Sequence, residues 1–480
     1  MEFQPERALI QAIQFYLTFQ TVNCRNGVPA RKGIDTRFLS VLFKKVQSCS
    51  NGVPPTEYQN KMIGGFMFTE NVNLNGYSIT SFVWPFVMQK ENESTLFDCV
   101  IKAGWVESVD KQTIWNEGHA QMMRDCFMAD QYFSNYARML FRNGKCFKEY
   151  HYPQREDQRL TYVIKINNEE QYELEISSIE LHVYMEEIGM LFINTVNTKY
   201  PEIAQIKKIN DYGRRIALAF LPQDANGFIL CAEQLGVKSA RAASVTDFRK
   251  MTSEYLDGKI ATEQLRHQAE FLTDILNCNL GHSFENKIKP VVSCEDRMHL
   301  HCLIRNDELS QMIQEGEWKQ HGEQEELLYS LLFADPSDAT CRDDEMRQTL
   351  LLKALYPRWA DYGTIHGITN YSMMALTGRT EWINESVVRP FLLEYGYMLS
   401  VVAAQKTGIE KFMMELTEDT FDDKEDVPTK EKRRKRWKRF NTILMLHEFS
   451  TQDQGTELYD LLKQQMKIEE RAAWLQRMMD

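Results

Sequence analysis

The spacing of apolar residues divides this chain into helical ends and a strand-rich middle. Near the amino terminus, apolar positions recur at helical spacing over 8–19, 37–46 and 117–141, with a strand-like run at 77–87 between them. Helical spacing returns over 386–416 and again over 430–480. Such spacing is typical of helices that bury one face. The pattern therefore predicts a mainly helical beginning and long helices at the end.

The middle of the chain reads as strands mixed with helices. Short runs rich in β-branched and aromatic residues lie at 146–151, 160–166 and 172–176, and residues 179–184 alternate between apolar and polar side chains. A turn at 185–189 and a returning run at 190–196 predict a hairpin. A helical pattern covers 202–220, and further strand candidates lie at 228–231, 298–304 and 365–376. We expect an α+β fold in which helices cover a sheet.

The length of 480 residues indicates more than one core. We predict a mainly helical region over 1–142, an α/β/α sheet domain over 143–380, and a region of long stalk helices over 381–480. No Gly, Asn or Pro cap follows the final turn. The apolar stripe of the last helix needs a helical partner, in this molecule or in its copies. We therefore expect a homo-oligomer.

Composition excludes several classes of protein. The net charge of −12 argues against general nucleic-acid binding by the surface. Ten cysteines without a CxxC pair are typical of reduced thiols in a cytosolic protein. The first residues lack a signal-peptide pattern, and no apolar run reaches the ~20 residues of a spanning helix. As given, the chain is not expected to cross a membrane.

Five segments carry a combined pattern: IELHVYMEEIGMLFINTVN at 179–197, IAQIKKINDYGRR at 203–215, HGITNYSMMALTG at 366–378 and the two stretches of the tail, FLLEYGYMLSVVAAQKTGIEKF and QGTELYDLLKQQMKIEERAAWLQ. Together these segments resemble divergent bacterial members of the CorA family of magnesium-transporter-like proteins. The resemblance covers residues 146–480 and is one of pattern and order, without a diagnostic short motif.

The resemblance implies an α/β/α cytosolic domain, a helical stalk and a ring, usually a pentamer, with Mg²⁺ as the candidate ion. The family's Gly-Met-Asn pore motif and its two membrane spans are absent from these residues. The chain would be either a cytosolic part at the inner membrane, ending before the spans, or a soluble relative. Some divergent relatives resemble effectors of type III CRISPR antiviral defence, in which a nucleotide second messenger is the signal.

The best candidates for ligand contacts lie in the 202–220 helical pattern. Arg214 and Arg215 point about 100° apart on a helix, so both could flank one anion, and Tyr212 could stack on a base. Gly213 inside the helix also calls for a packing or ligand reason. The alternative is a solvated helix face on which Asp211 pairs with Arg215.

A weaker candidate is Asn370, which would share a strand face with His366. This face could bind polar ligand groups or be the solvent side of an edge strand. Cys294, His299, His301 and Cys302 match no standard zinc spacing, and Cys302 would point away from the two histidines, which share a strand face. The acidic run 415–426 could attract divalent cations, but we favour a solvated charged loop, because a hard cation needs several converging oxygens. The basic run 430–439 could contact anionic lipid headgroups or phosphate, or neutralise acidic loops of neighbouring copies, and the adjacent acidic run is its nearest counter-charge. No metal ligand set is predicted.

Catalytic signatures such as GxSxG, HExxH and phosphate-binding loops are absent from the sequence. We therefore expect a non-enzymatic sensing and assembly part of a CorA-like channel or effector, which binds an anionic ligand or a divalent cation and signals through its stalk. Two alternatives remain open, namely a soluble nucleotide-processing enzyme on a related fold and an oligomeric scaffold.

Overall fold

The computed structural model describes residues 76–88, 94–108, 127–153, 159–224, 227–262, 268–280, 288–291, 295–421 and 427–479. The helices expected at 8–19 and 37–46 lie outside these residues. The described residues contain a sheet of twelve strands, in which one main path follows the order β10-β11-β12-β9-β1-β6-β5-β4-β7-β8. β3 pairs with β5 and β2 with β3, beside that path. The strand β1, from the predicted amino-terminal region, thus lies in the middle of the sheet.

Among the described residues, neighbouring strands are antiparallel, except that β9 and β12 are parallel. The strands are β1 Ser78–Val87, β2 Val106–Glu107, β3 Phe147–His151, β4 Thr161–Lys165, β5 Gln171–Tyr184, β6 Ile188–Asn197, β7 Gln234–Lys238, β8 Ala243–Asp247, β9 His299–Arg305, β10 Leu355–Tyr356, β11 Ile365–Ile368 and β12 Ser372–Thr377.

The predicted hairpin at 179–196 is confirmed as β5 and β6. Met185 and Glu186 in its turn have φ angles of 53° and 69°, which is the backbone twist that tight hairpins require. The two short strands expected at 172–176 and 179–184 are one strand, because a bulge between Ile176 and Ser178 lets the pairing with β6 continue. β5 is therefore long enough to pair with β4 at its start and with β3 at its end.

Helices cover the sheet on both faces. They are α1 Leu96–Ala103, α2 Asn135–Arg142, α3 Ile203–Arg214, α4 Phe248–Leu256, α5 Glu270–Leu276, α6 Asp307–Glu315, α7 Glu323–Leu332, α8 Asp344–Ala354, α9 Gly396–Phe421, α10 Val427–Leu444, α11 Asp453–Gln465 and α12 Ile468–Met479. Local signals set several ends. For example, Asn306 accepts a hydrogen bond from the Leu309 amide at the start of α6, and Gly316 closes that helix at a φ of 74°.

Some predicted elements have different bounds. The helix expected over 202–220 ends at Arg214, and 228–231 is not a strand. The stretch 365–376 is a two-stranded hairpin, β11 and β12, and not one strand. In the described part of 117–141, the helix is interrupted at Phe133, which forms a β-bridge with Ser450.

Two hydrophobic cores lie on opposite faces of the sheet. One face packs against α1, α3, α5, α6 and α7, with Phe82, Ile209 and Phe271 among its buried side chains. The other face packs against α9, around which α2, α10, α11 and α12 are arranged. A mixed sheet between two helical layers confirms the α+β fold class. The predicted domain boundaries at 142 and 380 stay predictions.

The carboxy-terminal helices form this second layer within the same chain. Leu399, Val402 and Leu475 are fully buried there, so the apolar stripes of α9 and α12 are covered by the chain's own sheet and helices. The stripe therefore no longer argues for subunit contacts, although the homo-oligomer stays a prediction. The helical stretch Ser386–Phe421 is long and apolar enough to cross a membrane, but 78% of its most apolar window is buried inside the fold.

The helix that leads into α9 is irregular. Two π-helical turns, Asn384–Val388 and Phe391–Tyr395, precede it directly. Such turns widen the helix by one residue and are frequent at functional sites. We call residues 384–395 the π segment. Phe391 of this segment stacks on His301 of β9, so the segment lies against the sheet.

Candidate metal centre

The two predicted anion-binding arginines end α3, and both are buried, with exposures of 3% for Arg214 and 6% for Arg215. Arg215 donates from Nε to both carboxylate oxygens of Asp211 at 3.0 and 3.1 Å. Nη2 of Arg214 lies 3.5 Å from Oδ1 of the same carboxylate and donates a hydrogen bond to the Phe333 carbonyl oxygen at 3.2 Å. The structure thus contains the pairing of Asp211 with Arg215 that was the alternative, in a buried rather than a solvated setting. Anion binding by the two arginines stays a prediction.

Gly213 has a packing reason. A Cβ atom there would lie 2.7 Å from Phe82 Cζ and 2.9 Å from Ile164 Cδ1, so only glycine lets α3 approach the sheet this closely. Tyr212 beside it is half-buried against the core, and burial raises the pKa of its hydroxyl.

Asn370 lies in the turn between β11 and β12, half-buried. The expectation that it shares a strand face with His366 is wrong, because β11 ends at Ile368. Ligand contact by Asn370 stays a prediction.

The residues considered for zinc are not gathered. Cys294 lies outside the described residues. Cys302 faces away from the two histidines, as expected, and contacts Thr80 and Asn210. His301 stacks on Phe391 with a centroid distance of 4.0 Å, and His299 lies against Tyr371 at 5.3 Å. These contacts are aromatic packing rather than ligand sharing.

A different group of metal-ligating side chains is brought together by β3 and β5. The antiparallel register places Glu149 opposite His182 and His151 opposite Glu180. Each strand carries a Glu-x-His sequence, so pairing in opposite directions sets each carboxylate beside an imidazole on one face. We call these four residues the Glu-His array. It faces α9.

Three side chains of the array could hold one ion. Ligand atoms of Glu149, Glu180 and His182 all lie within 4.8 Å of one another. Among the described residues, no other group of three His, Cys, Asp or Glu side chains meets this condition. Carboxylate oxygens and imidazole nitrogens are ordinary ligands of divalent metals in proteins.

His182 has the arrangement of a metal ligand. Its Nδ1 lies 2.9 Å from the Ser400 hydroxyl, which also accepts a hydrogen bond from Tyr184 at 2.9 Å. Its Nε2 is buried and has no hydrogen-bond partner. A ligating histidine is usually held in this way, with one ring nitrogen on a protein partner and the other toward the metal. Tyr397 stacks on the ring at a centroid distance of 5.0 Å.

Glu149 is oriented in a similar way. Tyr397 donates from its hydroxyl to Oε2 at 2.5 Å, and His151 Nε2 lies 3.4 Å from Oε1. Oε1 has no hydrogen-bond partner. Glu180 accepts a hydrogen bond from Ser178 at 2.7 Å. Neighbouring side chains therefore position both carboxylates, and the carboxylate oxygens can still accept a bond from a cation.

The electrostatics of the array separate its two carboxylates. Burial by itself would raise the pKa of Glu149, but the adjacent His151 imidazole and the hydrogen bond from Tyr397 hold the pKa below its ordinary value. Burial raises the pKa of Glu180, and the neighbouring Glu149 charge adds to this rise. Burial lowers the pKa of His182 to about 4, so its imidazole is neutral at pH 7. A neutral imidazole beside an ionised carboxylate is ready to coordinate a cation.

A small cavity of about 30 Å³ adjoins the array, between the sheet and the π segment. Such a volume has room for about two water-sized groups. Its lining combines array residues, other polar sheet residues and the start of α9, namely Ser81, Glu180, His182, Phe192, Asn194, His301, Leu392, Leu393, Gly396 and Tyr397.

The array does not have the geometry of a nucleophilic triad. Ser108 Oγ lies 2.7 Å from His151 Nε2, and Glu149 approaches that same nitrogen. A serine triad needs the serine and the carboxylate on opposite ring nitrogens. Ion binding therefore suits these residues better than acyl transfer.

The sequence alone did not predict this site, although the alternation over 179–184 places Glu180 and His182 on one face of the strand. The available signal was the repeated Glu-x-His at 149–151 and 180–182 in two strand candidates. That signal acquires meaning only once β3 and β5 are known to be neighbours.

Comparisons with known proteins add no assignment. No family model, curated protein or solved structure matches this chain. The resemblance to the CorA family stays a prediction.

Proposed function

We propose that this protein binds a divalent cation at Glu149, Glu180 and His182 and acts as a cation sensor. The observation that carries the proposal is the convergence of these ligand atoms within 4.8 Å of one another, with the buried Nε2 of His182 unpaired. An unpaired buried polar atom costs about 1–3 kcal/mol. A bound cation would offset that cost.

The size of the cavity favours an ion over a larger ligand. At about 30 Å³ it is far smaller than the roughly 300–1,000 Å³ of pockets that bind small molecules. An ion with one water fits, whereas a nucleotide substrate does not. This comparison supports ion binding over nucleotide binding at this place.

The route from the ion to the rest of the protein is α9. Tyr397 and Ser400, near its start, contact Glu149 and His182 respectively. Cation binding draws the two ligands together, so it changes the positions of the α9 residues that hold them. The π segment lies directly next to Tyr397, and π-helical turns are frequent at functional sites.

This proposal agrees with the regulatory role that the CorA resemblance implies. In a channel or effector of that kind, α9 and the helices around it would pass the state of the cation site onward. Assembly into a ring and contact with a membrane remain parts of the proposal.

Equilibrium dialysis of the metal-free full chain against Mg²⁺, Mn²⁺ and Zn²⁺ tests the cation site. We expect Glu149→Gln to weaken binding of the tightest ion by at least about 100-fold, since loss of even an outer partner of a ligand costs about 10- to 100-fold. Glu175→Gln is the matched control, because Glu175 is an exposed carboxylate on β5, the strand that carries Glu180 and His182. Equal binding by all three proteins, or no binding to the unchanged chain, would contradict the proposal.

A further inference from the structure

We infer that the Glu-His array selects Zn²⁺, or a similar late first-row transition ion, over Mg²⁺. The inference rests on the proposed cation site and names the class of ion that the site takes. It departs from the resemblance, which implies Mg²⁺.

The first argument is the chemistry of the donors. Mg²⁺ is a hard cation that takes oxygen ligands, whereas imidazole suits zinc and its neighbours. A ring nitrogen of His182 lies within 4.8 Å of ligand atoms of Glu149 and Glu180. Its buried Nε2 has no hydrogen-bond partner, while Ser400 holds Nδ1 at 2.9 Å. A site built for Mg²⁺ would place a carboxylate or a water there.

The second argument is space. Mg²⁺ demands six ligands and usually keeps several waters, because it gives them up reluctantly. With three protein ligands, Mg²⁺ would need three more. The adjoining cavity, which Glu180 and His182 line, has a volume of about 30 Å³, or room for about two water-sized groups. Phe192, Leu392 and Leu393 form the apolar part of its lining. Zinc needs only one further ligand to complete a tetrahedral shell.

Competitive titration of the metal-free full chain with Zn²⁺, Co²⁺ and Mg²⁺ tests the inference. We expect Zn²⁺ to bind at least about 100-fold more tightly than Mg²⁺, and Co²⁺ to lie between them. His182→Asp replaces the imidazole with a hard oxygen donor, so it should reduce this preference by at least about tenfold. Ser400→Ala leaves all three ligands in place and should weaken Zn²⁺ binding by about 10- to 100-fold. The Ser400→Ala variant provides the test if the His182→Asp variant fails to fold.

His366→Phe is the matched control. His366 is equally buried on the same face of the sheet, but it lies on β11, five strands from β5, or about 24 Å away. The Zn²⁺ affinity of the His366→Phe variant should equal that of the unchanged chain. Because the chain has ten cysteines, the absorption spectrum of bound Co²⁺ serves as a second readout, and it should lack a thiolate charge-transfer band.

The outcomes separate the two proposals. Binding of Mg²⁺ as tightly as Zn²⁺, with loss in Glu149→Gln, would overturn the selectivity and leave the cation site standing. A Co²⁺ thiolate band, or Zn²⁺ binding unaffected by Ser400→Ala and His182→Asp, would place the metal elsewhere and overturn both. No binding of any ion would also overturn both.

Discussion

Glu394 offers a sharp test of the buried layer between the sheet and α9. The residue lies in the second π-helical turn with an exposure of 5%, and its Oε2 has no hydrogen-bond partner. Burial raises the pKa of this carboxyl from 4.5 to about 8, against the opposing effects of a backbone hydrogen bond and the Arg389 charge. The folded protein therefore holds a proton at neutral pH that the unfolded chain releases.

The sign of the effect follows from proton linkage. Between pH 4.5 and pH 8 the folded state binds more protons at Glu394 than the unfolded state, so the free energy of unfolding falls as pH rises. Each pH unit in this window lowers the free energy of unfolding by about 1.4 kcal/mol. At pH 7 the free energy of unfolding is therefore about 3 kcal/mol lower than below pH 4.5. The loss is complete above pH 8 and absent below pH 4.5.

The assay compares Glu394→Gln with the unchanged chain by urea unfolding at two pH values. The amide is neutral throughout, so the variant should match the unchanged chain within about 1 kcal/mol at pH 5 and exceed it by about 3 kcal/mol at pH 7. Glu418→Gln, at an exposed carboxylate of α9, should show no such pH-dependent gain. A difference for Glu394→Gln that is the same at both pH values would refute the buried proton.

Three further substitutions test the packing that positions the site. Arg215→Met should destabilise the protein by about 3–5 kcal/mol, measured by urea unfolding, because it removes the main partner of the buried Asp211 carboxylate; full stability would contradict the buried pair. Gly213→Ala should cost about 1–3 kcal/mol, since its Cβ would meet Phe82, although alanine favours helices by about 1 kcal/mol; a stabilised variant in thermal unfolding would show that α3 is less close. Leu475→Ala should cost about 2–5 kcal/mol at every protein concentration, because this side chain packs within its own chain. If that cost falls as concentration rises, the side chain serves a subunit contact.

The elements that the sequence predicted correctly are those with strong local patterns. The β5–β6 hairpin follows from alternation on both sides of a short turn, and the strand at 77–87 follows from its run of β-branched and aromatic residues. The errors fell where a local pattern is ambiguous. The run 365–376 reads as one strand, but Asn370 belongs to the turn that divides it.

The candidate site shows a different limit. Arg214 and Arg215 looked like exposed ligand contacts because a sequence shows charge and spacing but not burial. The fold places both beside Asp211 in the interior. Conversely, the Glu-His array drew no metal prediction, because Glu149 and Glu180 are 31 positions apart and only pairing of β3 with β5 makes them neighbours.

By itself, the sequence determined the α+β class, the position of most strands and the presence of long apolar helices near the end. These properties depend on period and propensity within a few residues. Only the tertiary structure decided which polar groups meet and what covers the last helices. Strand register across the sheet determines which polar groups meet. The packing of α9 onto its own sheet determines what covers the last helices. Neither property is encoded within a short window of the chain.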